Sequence, residues 1–481
     1  MTSGRTVRFW SWILLWAVLA ASPGGGTLVY AQSGEAGAWF MGPDGGMSAT
    51  DASTTLLFTI PSQLTARSTG RAVSLRFFDV RAAVGGDLLQ FNHYENTFGE
   101  GSGRLTNAEE ARVLDDWFGG EKRGIATGTE VTPFALTYQP RGAHWALGFG
   151  VQARVRSEAK MNSGLLDLLV VGADSNRSVP LGGGQRTMST VSLTGAFSYR
   201  FESIPLSIGA APRVILGTQY ADATLSSRVS VQDSVMTHQY AWRARAAGGV
   251  SRAVYDEVSA FRPNPFGGVS GIGGTQVAGV GGAVNLGATY ALGPNFFVSL
   301  GLANLGLIRW SQDAQTMTND DTFRFEGFRL DIDRLQNEFD GDVGAYVEHQ
   351  ADSLARAAYG DVARERGAFS TRLPSTLHLG GTWARDRFTL AGGASVGLSG
   401  SAGAVRAAPS ARLGGEYHLG PIPLRLGVRV GGAQAVTLSG GIGVHAGGYR
   451  FDLGVSATPS TSTLGQGAHY AVGLSLATVR F

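Results

Sequence analysis

Cysteine is absent from this 481-residue chain. That excludes disulfide scaffolds, cysteine–zinc sites, iron–sulfur clusters and thiol nucleophiles. Charge is sparse at 16%, against about 25% in ordinary soluble domains. Lysine is confined to Lys122 and Lys160. After the N-terminal leader no run of about 18 apolar residues occurs, so no membrane-spanning helix is expected. The formal net charge of +2 comes from Arg5 and Arg8; without them 37 basic residues face 37 acidic ones. No electrostatic case for nucleic acid remains. Phosphate-loop, H-E-x-x-H and G-x-S-x-G motifs are missing, and the eight histidines are scattered. An enzyme is therefore not expected, nor a cofactor or a resident metal. An acidic stretch with Asp320, Asp321, Asp331, Asp333, Asp340 and Asp342 lacks EF-hand spacing and reads as solvated loop.

What is present is glycine, at 71 positions, in a chain that is 43% hydrophobic. Interior glycine costs a helix about 1 kcal/mol relative to alanine, which argues for β structure. Residues 1–31 read as a signal peptide. Arg5 and Arg8 form its basic region, Phe9–Ala21 its apolar run, and Val29-Tyr30-Ala31 a cleavage site ending at Ala31.

Period-2 alternation then dominates. Trp145, Leu147, Phe149, Val151, Ala153 and Val155 share one face, while Ala146, Gly148, Gly150, Gln152, Arg154 and Arg156 share the other. The pattern recurs at 190–201, 284–292, 296–310, 388–398, 413–419, 424–430, 449–457 and 470–476. Such segments are about twice the length of ordinary soluble strands and suit a tilted membrane crossing. Aromatics gather near strand ends, at Tyr199, Phe201, Trp310, Trp383, Phe388, Tyr417 and Tyr449, like an interfacial girdle. Tight turns such as Gly293-Pro294-Asn295 and Gly420-Pro421 alternate with long connections. The expected fold is all-β: a closed antiparallel transmembrane β-barrel of about 14 strands over residues 71–481, with helical inserts at 106–118 and 311–371. Residues 32–70 carry Trp39, Phe40 and Phe58 among breakers, and a barrel this wide leaves its lumen unfilled. A plug segment is expected there.

Arginines at 154, 156, 200, 213, 243, 245, 412, 425 and 429 lie on the polar parity. In lipid each would cost about 2–4 kcal/mol near the midplane, so they should face the lumen. Two roles are open to them: holding an anionic head group, or pairing with lumen acids such as Glu416 and Asp452. The candidate ligand-binding residues are Trp39, Phe40, Phe58, Arg154, Arg200, Arg245 and Arg425. Terminal Phe481 follows an alternating strand and is the candidate signal for the barrel-assembly machinery. Its parity requires a bulge near Ala477-Thr478.

A resemblance adds to this. It is carried by Phe91-Asn92-His93-Tyr94, Leu105-Thr106-Asn107-Ala108-Glu109-Glu110, Val113-Leu114, Asn285-Leu286-Gly287-Ala288-Thr289-Tyr290, Asn304-Leu305-Gly306-Leu307-Ile308-Arg309-Trp310, Phe325-Glu326-Gly327-Phe328 and Leu373–Gly381. Together they resemble a family of outer-membrane barrels of unknown function from Bacteroidota and relatives. That family is similar to the long-chain fatty-acid transporter (FadL-like) barrels and to the PorV-like shuttle of type IX secretion. The chain departs from the pattern at Asn285, where an aspartate is usual, and Ile60-Pro61-Ser62 stands where the transporters have Asn-Pro-Ala. The resemblance implies a 14-stranded, plugged barrel in the Gram-negative outer membrane that takes up hydrophobic or amphipathic small molecules. The alternative is an adaptor docking secreted or surface proteins. The partners expected are outer-membrane lipid, the assembly machinery and a hydrophobic ligand, for a multi-pass monomer.

Overall fold

The computed structural model describes residues 57–66, 73–86, 107–118, 122–164, 177–232, 235–249, 276–325, 332–339, 362–399, 409–431, 436–458 and 468–481, with a few isolated positions between them. The signal peptide with Ala31, and Trp39 and Phe40, lie outside the described residues.

All described strands belong to one antiparallel sheet. They are β1 (Val73–Gly86), β2 (Arg123–Tyr138), β3 (Trp145–Met161), β4 (Arg177–Arg200), β5 (Leu206–Gln232), β6 (Val235–Gly248), β7 (Gly279–Ala291), β8 (Phe296–Trp310) and β9 (Gln315–Phe325). Then come β10 (Ala363–Arg366), β11 (Phe369–Arg372), β12 (Ser375–Arg385), β13 (Phe388–Ser399), β14 (Ser410–Leu419), β15 (Ile422–Gly431), β16 (Val436–Ala446), β17 (Tyr449–Ala457) and β18 (Ala468–Arg480). Pairing of β1 with both β2 and β18 closes the ring. Closure leaves no free edge along the ring, so the backbone groups of its paired ladders find partners without water.

The wall has fourteen strand positions, as the sequence implied. Three of them are assembled from more than one strand. The lower half of β5 pairs with β7 and its upper half with β6. Likewise β8 pairs with β12 below and β11 above, while β9 lies between β6 and β10. The region 311–371 therefore departs from the helical insert expected of it. Its start and end continue the wall as β9, β10 and β11; its described helix is Ile332–Phe339. Alternating Thr316, Thr318 and Thr322 with Met317 and Phe323 suits a strand better than a helix. The other insert is helical over Asn107–Phe118, with Leu114 and Phe118 buried as the apolar stripe required.

Six short turns gather at one end, between β2 and β3, β4 and β5, β7 and β8, β12 and β13, β14 and β15, and β16 and β17. The barrel's own ends meet there too, since Val73 N donates to the Phe481 carbonyl at 3.0 Å. Gly420 and Gly447 both take φ +61°, a conformation that two-residue hairpins demand and other side chains resist. The anticipated bulge near the C-terminus appears as Leu476-Ala477 opposing Phe451 alone.

Burial follows strand parity, turned inside out relative to a soluble protein. On β15, Leu426 is 75% exposed and Arg425 only 6%. Arg425 lies between Glu416 Oε2 and Asp452 Oδ1, at 2.6 Å from each. His418 and His445 hydrogen-bond those same carboxylates. Replacing Arg425 with Met would leave two buried carboxylates facing each other. The expected destabilisation is about 3–5 kcal/mol, read as a lower conversion temperature of the compact band in heat-modifiable gel mobility. The triple variant R425M/E416Q/D452N should recover most of it; an R425M band converting at the wild-type temperature would contradict this account.

Candidate functional site

The described N-terminal residues Leu57–Thr65 are buried apart from half-buried Thr59, and they lie inside the ring. The Ile60 and Pro61 carbonyls accept from Gln63 N and Leu64 N at 3.1 and 3.2 Å, opening the short helix Gln63–Ala66. The segment leans on one side of the wall. Ser62 Oγ meets Thr289 Oγ1 at 2.8 Å, Gln63 Nε2 donates to Ser299 Oγ at 2.9 Å, and Thr65 Oγ1 meets Ser198 Oγ at 2.6 Å. Asn285 Nδ2 donates to the Phe58 carbonyl at 3.0 Å, and its Oδ1 accepts from Asn304 N at 2.8 Å. An aspartate at 285 could not donate to Phe58, so the departure seen in the sequence has a structural use here.

Glycine makes this docking possible. A β-carbon on Gly148 would run into Leu57, and one on Gly150 would lie 2.7 Å from the Phe58 ring. One on Gly287 would lie 2.9 Å from Ser62 Oγ, and one on Gly301 2.8 Å from Ile60 Cγ1. The wall beneath the segment is stripped of side chains where the segment's own side chains need room. Leu57, Phe58 and Leu64 form an apolar cluster with Ala135, Ala146, Ala196 and Ala211.

Beside it runs a chain of charges along the wall. Asp79 bridges Arg76 and Arg81 at 2.6 Å each; Glu130 bridges Arg81 at 3.0 Å and Arg154 at 2.8 Å. Among the described residues six arginines are buried against four carboxylates. Arg213 is the arginine to which that excess points. It is 5% exposed, donates only to the neutral Asn304 Oδ1 at 2.6 Å and Ser192 Oγ at 3.1 Å, and its Nε finds no acceptor. Arg154, Arg156 and Arg213 line a cleft with Thr190 and Asn304, and its remaining walls are Met188, Ile215, Leu373 and Pro374. Behind these lies a second apolar cluster containing Trp310, Tyr220, Ile308 and Leu373, with Met188 and Phe369 packed on it. The cleft holds about 20 Å³, room for little more than a water molecule.

The residues singled out from sequence do not all converge. Phe58 sits in the buried segment and Arg154 in the cleft. Arg245 lies higher, on β6, bound to Asp222 at 3.0 Å and stacked 5.5 Å from the Phe369 ring. Arg425 is held by its two carboxylates in a separate cluster, and Arg200 ends β4 beside the short turn. Of the scattered histidines, His418 and His445 adjoin, with ring centres 5.6 Å apart. Asn304 and the unpaired state of Arg213 were not legible beforehand. Asn304 betrays itself only in the folded chain, by a left-handed φ of 59° at the bulge between β7 and β8.

Fold and interior together define a closed transmembrane-type β-barrel with an occupied lumen. The chain belongs to DUF5723, a family of unknown function whose model matches residues 80–451. No protein with a curated description matches it in sequence. Among solved structures it is similar to the Ralstonia pickettii toluene transporter TbuX (13% identity, TM-score 0.46, 94% of this chain and 100% of that one). It is similar also to a Pseudomonas aeruginosa FadL homologue (13%, 0.46, 92% and 98%) and to the P. putida toluene transporter TodX (12%, 0.42, 90% and 95%). The barrel stands on its own strand pairing and does not draw on these likenesses.

Filling the glycine-lined contact should expel the buried segment. In G148V and G287V, amides of residues 57–66 are expected to exchange deuterium at least tenfold faster while the wall strands keep their protection. Unchanged protection at 57–66 would show that the segment is not seated by those contacts.

Proposed function

We propose that this protein is an outer-membrane channel for passive uptake of small amphipathic molecules, with residues 57–66 as part of its plug. The observation that carries the reading is the cleft itself. Three arginines and Asn304 form one side, and Met188, Ile215 and Leu373 open onto an apolar cluster on the other. A ligand with a carboxylate at one end and a hydrocarbon body meets both demands, because Arg213 has only neutral partners to give up. The cleft is too narrow for such a ligand as it stands, so passage requires displacement of the lining. Leu373 is held to the wall, its N–H donating to the Gly306 carbonyl at 3.0 Å, so among the described residues near the cleft the buried N-terminal segment is the part outside the strand ladder. The chain reaches the membrane after signal-peptide cleavage at Ala31.

Two outcomes test this. In proteoliposomes, entry of a fluorescent long-chain carboxylate is expected to fall about tenfold in R213M, with entry of an uncharged analogue of the same length unchanged. Equal loss for both, or for neither, would remove the arginine's role. The cysteine-free background also allows a lock. S62C/T289C should crosslink on oxidation, joining plug to wall, and block uptake until reduced. Uptake at the wild-type rate with the crosslink complete would refute movement of this segment.

A further inference from the structure

We propose that the outer face of the barrel carries a binding site for a phosphorylated glycolipid of the surrounding outer leaflet. The inference rests on the membrane placement argued above, and not on the lumen cleft.

The outward residues of β8 read Phe296, Val298, Leu300 and Leu302, then, past the bulge, Leu305 and Leu307. From Phe296 to Leu307 such a strand climbs about 28 Å at ~3.4 Å per residue and ~40° of tilt, close to the height of the apolar band of such barrels. The next outward residue is Arg309, and it is exposed. It faces Val280, which is 56% exposed, on one side and exposed Ser370 on the other. Arg372, also exposed, lies opposite Leu307, so Arg309 and Arg372 are diagonal neighbours on the same face, about 7–8 Å apart. Arg366 and Arg364 are exposed further along the same strand position, but Gln315 and Met317 opposite them are buried, so the patch is formed by Arg309 and Arg372. No carboxylate among the described residues is within ion-pair distance of Arg309, Arg366 or Arg372.

Below this patch the lipid-facing wall is hollowed. Strands β12 and β13 stay paired up to Ser375 and Ser399, but β13 and β14 part above Ser395 and Ser410. The result is a groove of about 450 Å³ lined by Leu377, Leu379, Val396, Pro409, Ala411 and Val430. Leu377 follows Arg372 by five residues along one strand position. The groove accepts an acyl chain and the arginines meet phosphate. Neither a neutral lipid nor a free anion uses both halves. Exposed arginines at the end of an apolar band gain from anionic head groups by direct attraction, and guanidinium pairs phosphate bidentately.

The test uses the full-length protein in detergent micelles, titrated with bisphosphorylated lipid A and, separately, with the same lipid after enzymatic dephosphorylation, bound lipid being counted by native mass spectrometry. Wild-type protein should retain the phosphorylated form at least tenfold more tightly than the dephosphorylated one, and R309Q/R372Q should lose that difference. R309K/R372K should recover part of it, and R385Q/R387Q, beside the short turns, should bind as wild type. Inorganic phosphate at millimolar concentration should not displace the lipid. Equal retention of both lipids by wild type, an unchanged preference in R309Q/R372Q, or equal loss in R385Q/R387Q would overturn the site; displacement by phosphate alone would mean a simple anion site. Insertion into phosphatidylcholine vesicles, read by heat-modifiable mobility, separates the readings. Failure to insert sinks the membrane placement; insertion without lipid discrimination sinks only this inference.

Discussion

The structure depends on a constraint of solvent. In hydrocarbon no water completes a backbone hydrogen bond, so a sheet that crosses must close on itself. Here closure is the register between β1 and β18, running from Ser74 opposite Arg480 to Gly86 opposite Ala468. Once the ring is closed, each strand has one face in lipid and one in the lumen. The alternation of side chains then becomes an inversion of the ordinary core: Leu426 outside, Arg425 inside.

That inversion creates its own problem, because charges are brought together where little water reaches. The wall answers with bridged chains, Arg76–Asp79–Arg81–Glu130–Arg154 on one side and the Arg425 cluster on the other. Each carboxylate is shared by two cations or by a cation and a histidine. Removing one member of such a chain leaves its neighbour buried and unpaired, which costs more than the pair itself contributes. Arg213 departs from this arrangement, since amide and hydroxyl oxygens hold it. The N-terminal segment is likewise held by neutral groups, through Ser62, Gln63, Thr65 and Asn285. A segment fastened by hydroxyls and amides can be displaced without stranding a charge.

Much of the fold could be read from residue order because the physics is local. Alternation over Trp145–Val155, the two-residue turns at Gly420 and Gly447, and the bulge demanded by the parity of Phe481 each involve a few consecutive residues. The upper wall was less legible. Strands β6 and β7 occupy one position, as do β8 and β9, and only the pairing of β6 and β7 with the two halves of β5 shows that those two strands are collinear. Region 311–371 misled for a related reason. The reading of it as one helical insert follows its acidic composition, while the threonine alternation that builds β9 occupies only its first third.

What the sequence by itself determined was every property that depends on neighbours in the chain: a glycine-rich β-barrel of fourteen wall positions, with the arginines of its polar parity on the face turned from lipid. Parity settles which side a residue faces, and parity is a property of the chain. Only the tertiary structure decided which of those arginines meet. Arg154, Arg156 and Arg213 share a cleft while Arg200, Arg245 and Arg425 do not, because strand stagger and tilt set the heights at which distant residues come together. The same holds for the glycines at 148, 150, 287 and 301. In the chain they are small residues on a polar face; in the barrel they are the space into which Leu57, Phe58, Ile60 and Ser62 fit.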